Sequence, residues 1–503
     1  MSRSFGEASL NTEVVSLCRT YRCPGAPVSA PGVLPDAPAN GPRHSVPNPA
    51  FHLPIGLKRA MLAMLSMKTN VCLVVVCLAV ASSAADFGIS SFNTNGHLSW
   101  SNAFPAGVVT VEAKGSLTSP WRPGTNYFTS NTVGSARVAM TPSNGFVRLL
   151  AVDISTNSPR HYTNLLESYG ILETVAGRGN SNADNSQWQP AFEGEWATNV
   201  SLSRPHVAFG DPHGNVLIVD QRSSSVLKVT PEGRLFTYAG THTAGDNGDG
   251  PAPATSLHLN NPNGGWMRAD GTLYILDTDN AKVRKVDTNQ SMTTVFAIPF
   301  ALGDGRAFWI KSDESLAYFG SGAQDVANTL NKWTSNGVFS VVRSDFGNLG
   351  NILGDERTGD LYISDRDLNR VFRMDTNGVL TPIAGNGTRP PSGGGEGFPA
   401  LETGLNLPRS VWFIPNGGFF IGEHDPGNRI WYVDPAGIIH RWMNGTGSGN
   451  PSRVGDGQWF YANPNSAKVS RVRAVNTDPF GNLIITESNY GYVRRIRFQR
   501  MNP

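Results

Sequence analysis

The stretch GDLYISDRDLNRVFRM (359–374) decides the fold, because its pattern returns in GNVLIVDQRSSSVLKV (214–229), GTLYILDTDNAKVRKV (271–286), GGFFIGEHDPGNRIWYV (417–433) and GNLIITESNYGYVRRI (481–496). In each copy an acid stands six positions after the leading glycine: Asp220, Asp277, Asp365, Glu423 and Glu487. Six or seven residues later comes Val226, Val283, Val371, Ile430 or Val493. The glycine suits a positive-φ turn, the alternating apolar residues after it suit a strand, and the polar stretch after the acid suits a hairpin into a second strand. Ahead lies another strand, opened by proline with an aromatic four residues on: Pro205 and Phe209, Pro262 and Trp266, Pro408 and Trp412. Behind lies a fourth, ending at Gly240, Gly385 or Gly445.

Four strands repeated every ~45–65 residues make the blade of a propeller. The gap between Asp277 and Asp365 is filled by a worn copy over 303–343, with Gly320 where the acid belongs, so six blades are expected. The last copy ends without a fourth strand, and YGILETVAG (169–177) closely matches NGVLTPIAG (377–385). The strand 170–177 is therefore expected to pair with the C-terminal blade, closing the ring and covering a sheet edge.

The glycine, apolar strand, acid and Val-x-Lys/Arg pattern resembles NHL repeats, as do loops such as GDNGDGPAPATSLHLNNPNGG (245–265) and GGGEGFPALETGLNLPRS (393–410). The resemblance spans 170–503 and implies an all-β, six-bladed propeller used mostly as a binding platform. Residues 86–158, with short alternating strands and tryptophans at Trp100 and Trp121, resemble a shortened fibronectin type III-like module, a small β-sandwich. It reads as a spacer or docking module, with a carbohydrate-binding face at Trp121 as the alternative. Residues 159–169 read as a linker.

The whole chain has 503 residues, 55 Gly, 34 Pro, 16% charged residues and a net charge of +2. This excludes a coiled coil or an acidic disordered chain and offers no argument for nucleic acid. Residues 1–60 include eight prolines between positions 21 and 50, and read as a disordered Pro-rich leader or an upstream mis-assigned start. Residues 61–85 read as a secretory signal peptide: Lys68 flanks the apolar run Val71–Ala81, and small residues before Asp86 offer cleavage after Ala84 or Ala85. The run is too short for the ~20 residues that span a bilayer. Cys18, Cys23, Cys72 and Cys77 would leave with this segment, as would seven basic and three acidic residues of 41 and 39, moving the net charge to −2. The expected mature protein is a secreted or periplasmic, cysteine-free monomer without a membrane span.

The repeated acids read as structural, each accepting hydrogen bonds from the hairpin that follows it. The repeated aromatics read as packing between blades. Ligand chemistry is better sought where the copies differ. The residue after the leading proline, His206, Asn263 or Arg409, should approach the channel mouth and suits a small polar or anionic ligand. His424, between Glu423 and Asp425, reads as part of a variant hairpin, and Asp246 and Asp249 as a flexible loop without calcium-ligand spacing.

Two enzyme classes built on similar propellers supply the alternative reading. Amidating-lyase-like propellers hold zinc with histidines from several blades, a set not matched by His206, Asn263 and Arg409. Lactonase-like propellers hold a divalent ion through Glu, Asp and Asn, for which Asn263, Asp304 and Asn351 are the candidates. The primary expectation is a non-enzymatic binding or scaffold protein for a protein, peptide or glycan, with no cofactor. The alternative is a hydrolase or lyase with Ca2+ or Zn2+ at the channel mouth.

Overall fold

Short apolar strands and tight turns build nearly the whole chain. The structure, a computed structural model, describes residues 57–67, 70–76 and 87–500 except 94, 117, 139–145, 180–184, 324–325, 391–392, 446–452 and 461–466. Residues 1–56 of the Pro-rich leader and the cleavage junction lie outside the described residues.

Eight sheets form among the described residues, six of them from the repeat region. Their first strands are Pro205–Gly210, Pro262–Met267, Phe308–Ile310, Leu349–Gly354, Pro408–Phe413 and Val472–Thr477. Each of these inner strands touches the inner strand of the next sheet, and the sixth returns to the first. The molecule is an all-β, six-bladed propeller with a β-sandwich-like domain before it. The worn copy forms the third blade, with Leu316–Ala323 paired to Val326–Thr334. The sixth blade takes its outer strand from the start of the ring: Leu172–Ala176 pairs antiparallel with Tyr492–Ile496. Apolar side chains between neighbouring blades form separate cores, such as Ala208, Ile218 and Leu227 with Ile484 and Val493.

Adjacent inner strands approach so closely that some positions have no room for a side chain. A Cβ on Gly350 would lie 2.4 Å from Ser364 Oγ and 2.7 Å from the Cα of Arg409 in the next blade. Glycine there lets the ring contract around its axis.

The N-terminal domain packs Gly88–Phe92, His97–Ser101 and Gly134–Arg137 against a larger sheet containing Phe146–Asp153, Gly107–Lys114 and Arg122–Thr129. Strand Gly107–Lys114 is buried on both faces. Val109 and Val111 join Trp100 and Leu149 in the sandwich core, whereas Val108 joins Val152, Tyr432 and Trp442 against the propeller. Its nearly continuous apolar sequence follows from this double burial.

Two expectations meet a different arrangement. The stretch read as a linker carries a helix, His161–Glu167, whose Leu165 and Leu166 are buried with Trp442 and Phe460 in the core shared by domain and propeller. Asn126 Nδ2 donates to the Ser168 carbonyl at 2.7 Å, and Phe128 stacks on Phe498 at 4.2 Å. Apolar burial on both sides makes this joint a packed interface. Strands Leu57–Met67 and Asn70–Val76, which run from the end of the stretch read as leader into the one read as a signal peptide, form a hairpin that extends the larger sheet by pairing with Phe146–Asp153. No described helix is long and apolar enough to cross a membrane.

Candidate functional site

The repeat acids build the channel mouth from below. In all five copies the carboxylate accepts the backbone N–H of the residue seventeen positions earlier: Ser203, Asn260, Asn348, Asn406 and Ser470, at 2.7–2.9 Å. The clamp thus holds the loop that enters the blade; Asp365 also accepts backbone amides from the following hairpin, at Asp367 and Leu368, and Asp277 accepts there from Asn280 Nδ2 at 2.9 Å. The residue after the clamped one is left-handed in four blades: Arg204, Asn261, Leu407 and Arg471, with φ of 68°, 48°, 54° and 44°. Such backbone is costly for non-glycine residues and persists where surrounding bonds over-determine it.

The sharp turn feeds a β-bulge near the start of the inner strand. The register shifts between Pro205 and Val207, Pro262 and Gly264, Leu349 and Ile352, Pro408 and Ser410, and Val472 and Ala474. A bulge re-aims side chains. The cavity on the axis, of about 60 Å3, is lined by His206, Asn263, Arg306, Asn351, Arg409 and Arg473, one from each blade. All six stand fourteen positions before the repeat acid, or before Gly320 in the third blade. Sequence reasoning found His206, Asn263 and Arg409 through the leading proline. It missed Arg306 and Arg473, which lack one, although the fourteen-residue offset identifies both.

Three of the six are arginines. Arg409 and Arg473 are buried, and Nε and Nη1 of each lack a hydrogen-bond partner. Burial pulls both guanidiniums well below their ordinary pKa, and neighbouring Arg306 and Arg204 add to the effect. His206 donates from Nδ1 to the Asn263 carbonyl at 3.2 Å. Burial first, then Arg473, Arg204 and Arg306, holds its imidazole neutral with Nε2 unpartnered. His424 joins this electrostatic neighbourhood, its pKa lowered by burial and then by Arg409 and Arg473.

Of the remaining candidates, Asn351 and Asp304 are engaged through their side chains, whereas Asn263 keeps a buried Oδ1 without a partner. Asn351 is tied to Val411 of the next blade through both amide atoms, at 3.1 and 2.8 Å, and accepts from Ser364 Oγ. Asn263 Nδ2 lies 3.4 Å from the Asp304 carbonyl, and the Asp304 carboxylate pairs with Arg306 at 3.0 Å. Among the described residues, no three ligand atoms of His, Cys, Asp or Glu converge in the channel. Asp246 and Asp249 are pinned by Lys282 and Arg284, which orders the loop expected to be flexible. The Trp121 ring is covered by Arg148 and Lys114, at 4.4 and 4.7 Å.

The aromatics also differ from expectation. Trp266 and Trp412 come from the second and fifth blades and meet with ring centroids 5.9 Å apart. With Phe209 they line both the axial cavity and a depression of about 740 Å3 that continues toward the far ends of the inner strands. The upper cavity is thus floored by aromatic rings and crowned by arginines.

The fold and this axial pocket define the class: an all-β propeller with a small cationic cavity at its hub. No protein-family model matches the sequence, and no curated protein matches it. Among solved structures, the chain is similar to a Bacteroides thetaiotaomicron protein of unknown function, at 13% identity over 83% of this chain and 100% of that one, TM-score 0.49. It is also similar to an auxiliary nutrient binding protein from the same organism, at 11% identity over 82% and 98% of the two chains, TM-score 0.47. A streptogramin B lyase matches at 12% identity over 65% and 97%, TM-score 0.38.

Proposed function

We propose that this is an exported NHL-repeat propeller, preceded by a fibronectin type III-like domain, that binds a ligand through an anionic group at its axial pocket. The supporting observation is the pair Arg409 and Arg473. Both are buried, both hold donors without partners, and guanidiniums stay charged at neutral pH. Buried unpaired charge is costly, and a carboxylate, phosphate or sulfate group would complete those donors with charge-assisted hydrogen bonds. The aromatic floor offers apolar contact to the rest of a small ligand or to the tip of a peptide or glycan.

The hydrolase or lyase reading needs a divalent ion at the same mouth. Arg306, Arg409 and Arg473 oppose a cation there, and Asn351 has no free amide atom to offer one. Calorimetric titration of the purified protein with inorganic phosphate, sulfate, a dicarboxylate and a uronic acid tests the proposal. Saturable binding of at least one anion, weakened tenfold or more by Arg409→Gln and by Arg473→Gln, is the expected result. Tight binding of a divalent cation that depends on Asn263 would count against it.

A further inference from the structure

Away from the channel, His161 of the helix His161–Glu167 meets Asp434 and His440 of the fifth blade. His161 Nε2 lies 2.8 Å and His440 Nε2 lies 3.2 Å from the same oxygen, Asp434 Oδ2. All three candidate ligand atoms are within 4.8 Å of one another. The other nitrogen of each ring also faces an acceptor. His161 Nδ1 is 2.9 Å from the Ser158 carbonyl, and His440 Nδ1 is 3.2 Å from Glu396 Oε1.

The acceptors determine what the rings must do. A carbonyl and an ionised carboxylate accept only, so both Nδ1 atoms carry protons. The two Nε2 atoms and Asp434 Oδ2 face one another, so a divalent cation among the three would meet both Nε2 lone pairs while both Nδ1–H groups keep their acceptors. A ligating histidine whose second nitrogen is held by a carbonyl or carboxylate is the usual outer arrangement of protein metal sites.

Asp434 is oriented for this task. Its Oδ1 accepts from Ala436 and Ile438 at 2.9 and 3.0 Å, which locks the carboxylate in a hairpin turn and leaves Oδ2 for the histidines. The same turn is built by Asp287 and Asp375 in the second and fourth blades. Six residues beyond those acids stand Thr293 and Thr381, where the fifth blade has His440. Among the described residues, His161 meets the fifth blade at Asp434 and His440, so the specialised copy is one beside the helix. Tyr162 stacks on His440 at 4.1 Å and fixes that ring's plane.

We propose that His161, Asp434 and His440 form a site for a divalent transition metal, Zn2+ in the first instance, that clamps the helix His161–Glu167 to the fifth blade. Tetrahedral zinc with nitrogen and oxygen ligands at about 2.0–2.2 Å places ligand atoms roughly 3.3–3.5 Å apart, near the two shorter separations here. Three protein ligands leave a fourth position for water, reached past the partly exposed His161. Nitrogen and oxygen donors favour zinc and its neighbours over calcium.

The test uses the full chain, stripped with chelator and titrated with Zn2+ by calorimetry, with Co2+ absorbance reporting tetrahedral nitrogen and oxygen ligation. One equivalent is expected, and His161→Ala and His440→Ala should each weaken it by a hundredfold or more. His213→Gln, at an exposed histidine elsewhere, should leave it unchanged. Glu396→Gln keeps all three ligands and should weaken Zn2+ by about 10- to 100-fold, a readout that survives if a ligand variant fails to fold. Absence of a stoichiometric site, unchanged affinity in Glu396→Gln and His161→Ala, or loss of zinc with His206→Asn instead, would overturn the proposal.

Discussion

The N–H of Ser203 points at the Asp220 carboxylate, 2.8 Å from Oδ1 and 2.9 Å from Oδ2, and so ties the loop entering the first blade to the end of its second strand. This clamp precedes the left-handed Arg204 and the bulge that turns His206 toward the axis. One buried carboxylate therefore supports both the fold and the position of a channel residue. Asp220→Ala should cost roughly 1–3 kcal/mol, the penalty for a buried donor left without a partner. Asp220→Asn keeps an acceptor and should cost less than half as much. Urea unfolding of the two variants checks the order.

Glu423 makes the propeller's stability depend on pH. Burial pushes its carboxyl from the ordinary 4.5 up to about 7. The folded state then holds a proton that the unfolded state has released. This contribution is complete below pH 4.5 and is lost as pH rises to about 7, amounting to at most about 3 kcal/mol. Glu423→Gln removes the titration. The melting temperature of the natural protein relative to this variant should fall steadily between pH 4.5 and 7, and parallel curves would show that Glu423 does not titrate there.

The arginine crown should be a source of instability until a ligand binds. Replacing one member by an apolar residue of similar length removes like-charge repulsion and an unsatisfied buried cation. Arg473→Met is therefore expected to melt at the same temperature as the natural protein or higher in anion-free buffer. It should also lose the gain in melting temperature that added phosphate gives the natural protein. A drop of several degrees without anion would mean that Arg473 is paired in solution.

Ring closure rests on a short strand far from its partner in sequence. Leu172 is fully buried among Leu483, Ile485 and Ile496. Leu172→Ala should cost about 2–5 kcal/mol, the range for deleting a buried leucine side chain. The transition should stay single if domain and propeller unfold together, as their shared core implies. Two separated transitions by circular dichroism would show that the helix does not couple them.

The proposed export predicts a chemical mark. N-terminal sequencing of protein recovered from the exported fraction should begin at Ala85 or Asp86. The processed chain would lack the hairpin 57–76, and strand Phe146–Asp153 would become a sheet edge. A mature product that retains residues 57–76 would remove the signal-peptide reading.

The blades were legible because their determinants are local. Gly359, the alternation of Leu361 and Ile363, and Asp365 all act within one turn and one strand, and the same spacing in four other copies made the repeat unmistakable. The direction of the acid's hydrogen bond was not legible. Pattern alone could not separate the hairpin after Asp220 from the loop before it, since both offer amides. Arg306 and Arg473 were missed because Gly320 replaces the acid in one blade and Val472 the proline in the other. The site of His161 was invisible for a different reason: 273 residues separate it from Asp434, and its helix lies in a stretch that reads as loop.

The sequence by itself determined the blade, its period and the six positions aimed at the axis. These follow from backbone dihedrals, side-chain alternation and hydrogen bonds made within about twenty residues. Only the tertiary structure decided what those positions amount to. An arginine on a strand is ordinary; its chemistry changed when closure brought Arg306, Arg409 and Arg473 together over Trp266 and Trp412, away from water and without a carboxylate for Arg409 or Arg473. Burial and charge depend on which side chains the whole ring brings together, and no single repeat contains that information.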